Sequence, residues 1–178
     1  MQLSPRFSIE EWNFGVCSDV DAAADQLDGW ILKPAASLAA DRNGGVPVLL
    51  LLAQYFETIH FYSSGGSAGA EDRAALVAGL EQVLPMSSPE AREAFARLVR
   101  GGLLRGKLFA PAFVHNESGS FPDFDFLPGG RVLAVNWVRL LDAVRAHHEA
   151  LFGALRRGED LAALDRFNDA MTVRKEAK

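Results

Sequence analysis

The stretch Val46–Tyr62, VPVLLLLAQYFETIHFY, most constrains what this chain can become. It is apolar on nearly every side, and a helix without a wet face belongs in the middle of a fold. Its polar exceptions are Gln54, Glu57, Thr58 and His60. At about 100° per residue, Gln54, Glu57 and Thr58 share one arc, with His60 beside Glu57. Polar groups carried into a core need partners there. The same groups interrupt the run before it reaches the ~20 apolar residues of a spanning segment. It therefore predicts a buried core helix and no membrane association.

The rest of the chain has the length and balance to surround such a helix. Its 178 residues, 49% hydrophobic and 23% charged, suit one soluble domain over 1–178 with a sizeable core. The net charge of −5 argues against nucleic-acid binding by the whole surface but leaves room for a local basic patch. Cys17 is the only cysteine, which excludes an intrachain disulfide and an all-cysteine zinc site. It reads as a buried, inert thiol, in keeping with a reducing compartment. The opening MQLSPRFSIEEWNF lacks the basic-then-apolar pattern of a secretory signal, so the expected location is cytoplasmic.

Residues 1–17 read as an irregular lead-in whose Phe7, Ile9, Trp12 and Phe14 lie across the core. Ser18, with Asp21 three residues on, is an imperfect capping box. Val20, Ala24, Leu27 and Ile31 then recur at helical spacing until Pro34 kinks or ends the helix. Asp41–Gly45 is a loop before the core helix. SSGGSAG at 63–69 is a flexible connection. As a phosphate cradle it is opposed by Glu71 and Asp72, which would repel the ligand.

Leu76, Val77, Leu80, Val83 and Leu84 stripe a third helix that Pro85 stops. Ser88-Pro89-Glu90 opens a fourth with cap, proline and acid in order. Ala91, Ala94, Phe95 and Leu98 face inward there, and Arg92, Glu93, Arg97 and Arg100 take the other side. FPDFDFL, PGG and RVLAV then alternate as a small hairpin at about 124–135. Asn136 caps a long helix that Gly158 ends, and a last helix covers about 160–173, with 174–178 a frayed tail. The expected architecture is mainly α: a bundle of five or six helices with a small β-hairpin inserted before the last two helices.

Chemistry concentrates in Phe95–Lys107, FARLVRGGLLRGK, which places Arg97, Arg100, Arg105 and Lys107 close together in an acidic chain. The guanidinium fork suits bidentate phosphate contact, and Gly101 and Gly102 let a ligand backbone approach. The same residues also read as a helix end, with cations on the dipole and glycines as C-cap. Solvated arginines at helix ends are the commoner arrangement.

LVRGGLLRGKL, the preceding apolar helix with an internal acid LLAQYFETIHFY, and the following VLAVNWVRLLDAVRAHHEALFGAL together resemble the HEPN-like family. These are all-helical nucleotide-binding domains common in prokaryotic defence and toxin–antitoxin systems. The resemblance in layout covers about residues 46–173. It implies a homodimer and, in active members, RNA cleavage by an arginine and a histidine drawn from two protomers. Arg100 matches the arginine. The polar residue that usually follows it is Gly101 here, and the histidine position is Arg105. An arginine is a poor general base at neutral pH. The resemblance thus implies a binding or regulatory copy that uses Arg97, Arg100, Arg105 and Lys107 on RNA or a nucleotide.

Glu57, as a carboxylate on a buried helix, needs a cation, and Arg100 is the natural one. His60 stands one turn after Glu57, as a metal site might begin, but no second acid-and-histidine pair completes it. No metal or cofactor is expected. His148 lies on the apolar stripe of the long helix, where a hydrogen-bonded core histidine is the ordinary occupant. Phe121–Phe126 reads as a strand covering the core. Two alternatives stay beside the binding module. One is a metal-independent ribonuclease using Arg100 with His115 or His60, supplied by the fold or a second protomer. The other is a helical protein-interaction module with no ligand site.

Overall fold

Helix α4, Gly45–Ser63, is the apolar run of the sequence and the axis of the fold. Val48, Leu49, Leu52, Tyr55 and Phe56 on it are fully buried. The computed structural model describes residues 2–67, 73–105 and 112–176, and it is mainly α.

The lead-in is more ordered than its sequence suggests. It contains a short helix, α1, Ile9–Asn13, set by a complete capping box of Ser8 and Glu11. Ahead of it the Ser4 hydroxyl and the Arg6 amide donate to the Asp25 carboxylate at 2.6 and 2.8 Å, and Leu3 is buried. Asp25 lies on α2, Asp19–Leu27, capped by Ser18 as expected. Pro34 does not end this helix. The chain passes through a π-helical turn, Asp28–Leu32, into α3, Lys33–Ala39. Proline lacks an N–H and crowds the carbonyl one turn back, and a widened turn just before it relieves both.

Helix α5, Arg73–Val83, packs most closely on α4. Gly79 permits this, since a Cβ there would stand 2.0 Å from the Phe56 carbonyl oxygen. Helix α6, Pro89–Ala96, begins at the expected Ser88 cap and runs on through a second π turn, Arg97–Gly102, into a 3-10 turn, Leu103–Arg105.

The expected hairpin is two strands of a three-stranded sheet. Strands β1, Ala112–His115, β2, Phe124–Phe126, and β3, Leu133–Asn136, lie in the order β1-β3-β2. β2 pairs with β3 antiparallel and β1 with β3 parallel. As the central strand, β3 is buried at all four positions, so it lacks the alternation of a one-faced strand. β1 is too short to show a period.

Asn136 caps α7, Trp137–Arg157, by accepting from the amides of Val138 and Arg139, and Gly158 closes it in the left-handed region at φ 62°. Helix α8, Leu161–Glu176, continues past the expected end. Arg174 and Lys175 are tied to Tyr62 and Asp19, which holds the segment expected to fray. Among the described residues no helix is long and apolar enough to cross a membrane.

Candidate functional site

Glu57 lies in the middle of α4, buried to 5% exposure, where the arc shared with Gln54 and Thr58 was expected to need partners. Arg100 supplies one. Its guanidinium reaches in from the π turn after α6 and sets an Nη 2.5 Å from Glu57 Oε1. In that widened turn, Leu98 and Val99 are buried, while the Arg100 side chain keeps 23% exposure. A buried carboxylate is tolerable only with such a counter-charge.

The other expected cations are placed differently. Arg97 points outward, its Nη1 4.0 Å from Glu93, one turn back on α6. Glu93 Oε2 is shared with Arg73 of α5 at 3.1 Å. Among the described residues, three cations, Arg73, Arg97 and Arg100, are thus paired with two carboxylates, Glu57 and Glu93, on neighbouring elements. Arg105 ends the 3-10 turn. Its side chain and Lys107 lie outside the described residues, as do Glu71 and Asp72 with part of the glycine-rich connection. Arg92, expected on the solvent side, is buried. It donates to the Ser87 carbonyl at 2.6 Å and pairs with Glu81 at 3.1 Å, which folds the guanidinium back over the start of its own helix.

The histidines have separate environments. His115 closes β1, buried to 4%, its ring stacked on Phe113 and its Nε2 3.0 Å from the Pro122 carbonyl oxygen. That bond holds the ring within the sheet. His147 meets the Tyr55 hydroxyl at 2.9 Å. Burial lowers the His147 pKa and raises that of Tyr55. His148 packs on Phe152, and its Nδ1 is buried without the hydrogen bond expected of a core histidine. Burial pushes its pKa down to about 4, against the pull of Asp28, so the ring is neutral at pH 7. His60 is half-buried on α4, one turn beyond Glu57. Among the described residues no three His, Cys, Asp or Glu side chains gather as a metal site requires. Cys17 is a buried free thiol, its pKa raised by desolvation.

Glu57 also lines a cleft of about 470 Å³. Gln54, Glu57 and Thr58 all face it, so the polar arc of the core helix has a destination. The facing wall comes from α2 and its π turn, including Trp30, and the end from Arg174 of α8. Sequence reasoning missed Arg174 by assigning it to a frayed tail. The signal was present: Phe167, Met171 and Arg174 recur at spacings of four and three, so Arg174 continues the buried stripe.

No protein-family model, curated protein or solved structure matches this chain.

Proposed function

We propose that this chain is a HEPN-like helical module that works by binding RNA or a nucleotide through its 97–107 segment, paired with a second copy, rather than by cutting its ligand. The observation that carries this reading is the ion pair of Glu57 with Arg100. It joins the two residues that the resemblance rests on, the acid of the apolar helix and the arginine of the following motif. It also fixes Arg100 at the surface end of a buried contact, with 23% of the side chain open beside Arg97. The ion pairs among the described residues support it as well: Arg73, Arg97 and Arg100 share two carboxylates, Glu57 and Glu93, in a chain of net charge −5.

Binding is favoured over cleavage because acid–base chemistry needs a histidine within reach of the phosphate. His115, the fold's own candidate, spends its Nε2 on the Pro122 carbonyl. The ribonuclease alternative then needs His60, half-buried one turn beyond Glu57, or a histidine from a second protomer.

The test is retention of single-stranded RNA on a filter at rising salt. Retention is expected to fall as salt rises, with a log–log slope shallower by about one for each phosphate contact removed, in Arg97→Ala, Arg105→Ala and Lys107→Ala. Absence of retention at low salt would leave an interaction module in its place.

A further inference from the structure

The cleft beside α4 meets the cation segment at Glu57, which lines the one and pairs with Arg100 of the other, but its chemistry is different. At about 470 Å³ it has the size of a small-molecule site and is too small for a folded partner. Its walls are mainly apolar, built from Leu27, Leu51 and Phe61 with Trp30 at the mouth. Trp30 is 45% exposed, a large ring left half in water at the edge of an apolar hollow.

Two charged side chains reach this hollow, and they differ in one respect. Glu57 is neutralised by Arg100 at 2.5 Å. Arg174 is held by neutral acceptors: one Nη donates to the Tyr62 hydroxyl at 3.0 Å and the other to Gln26 Oε1. Among the described residues no carboxylate pairs with Arg174. The cleft therefore carries one positive charge without a carboxylate partner among the described residues, held by two hydrogen bonds beside apolar walls. Guanidinium has five donors, so N–H groups remain for a ligand after those two bonds. Away from bulk water, a charge-assisted hydrogen bond from such a group is among the strong ones.

We propose that this cleft binds a small amphipathic anion, an aromatic ring system or short acyl chain bearing one carboxylate. The apolar part lies against Leu51, Phe61 and Trp30, and the anionic group meets Arg174. The ligand contacts proposed here, at Leu51, Phe61, Trp30 and Arg174, are separate from those proposed for RNA at residues 97–107. A nucleotide is a poorer occupant, since its sugar and phosphates would lie against the apolar residues Leu51, Phe61 and Trp30.

The experiment is calorimetric titration of the full chain with 2-naphthoate and decanoate, and with uncharged 2-naphthalenemethanol. Both acids are expected to bind saturably at one site. Arg174→Gln is expected to weaken the acids about ten- to a hundredfold and to leave the alcohol unchanged. Leu51→Trp, which fills the chamber, is expected to abolish binding of all three, and Trp30→Ala, at a half-exposed position, to weaken 2-naphthoate. Failure of either acid to saturate, equal affinity for wild type and Arg174→Gln, or binding that survives Leu51→Trp would overturn the proposal. Tighter binding of adenosine monophosphate than of 2-naphthoate at this cleft would overturn it too, in favour of a nucleotide site. Should Arg174→Gln fail to fold, the wild type still decides: 2-naphthoate is expected to bind about tenfold or more tighter than 2-naphthalenemethanol, and equal affinity for the two would overturn the proposal.

Discussion

Glu57 and Arg100 meet at 2.5 Å across 43 residues of chain, joining the middle of the core helix to the π turn after α6. Neither element would hold its charge there alone. Replacing Arg100 by Met takes the cation from a carboxylate with 5% exposure and is expected to cost about 3 kcal/mol in urea denaturation. Glu57→Gln is expected to cost less, because Arg100 is 23% exposed and can turn toward water. The double variant Glu57→Met/Arg100→Met is expected to recover most of the loss, since two apolar groups of similar length need no counter-charge.

Gly79 sets how closely α5 approaches α4. A methyl group there would lie 2.0 Å from the Phe56 carbonyl oxygen, and that atom is backbone. Gly79→Ala is therefore expected to destabilise by about 2 kcal/mol or more, although alanine is the better helix former. Unchanged stability in thermal or urea unfolding would show that the two helices can separate freely.

Stability should fall on mild acidification. His148 is held neutral in the folded chain, with its pKa at about 4, while the unfolded chain protonates near pH 6.5. Between those values the unfolded state binds more protons, so stability is full above about pH 6.5 and declines as pH falls toward 4. The ring is part-exposed, so the loss is expected to be about 1 to 2 kcal/mol, after discounting for solvent. His147, also lowered by burial, adds in the same direction. Asp25 acts only at lower pH: burial raises its pKa, but bonds from Ser4 and Arg6 outweigh that and hold it below the usual carboxylate range. His148→Leu is expected to flatten the decline, as read from urea midpoints across this range.

Asn136 does two jobs at the junction of β3 and α7. Its side-chain oxygen accepts from the Val138 and Arg139 amides, and its Nδ2 donates to the Glu117 carbonyl and toward Asp123. Asn136→Ala is expected to cost about 2 kcal/mol, the loss of a cap together with buried hydrogen bonds. Asn136→Asp keeps the cap acceptor but loses the donor and sets a second carboxylate beside Asp123. It is expected to be no more stable than the alanine variant.

The sequence made the α-helical core, its caps at Ser18, Ser88 and Asn136, and the Glu57–Arg100 pair legible for one reason. Each follows from a local rule, either helical spacing or the cost of burying charge. What it hid depends on tertiary placement. β1 is too short to show a period, and β3 loses its alternation because it is central. Arg92 and Arg174 read as surface cations until the fold turns them inward. The Ser8–Glu11 capping box was readable in SIEE and would have revealed α1 within the lead-in.

The most direct test is to incubate the protein with end-labelled single-stranded RNA in a chelating buffer, wild type beside Arg100→Ala with its helicity confirmed, and to follow retention and strand length together. Wild type is expected to retain the RNA intact, with retention weakened in the variant. Fragments ending in a cyclic phosphate, made by wild type and absent with Arg100→Ala, would contradict a binding role and establish a nuclease.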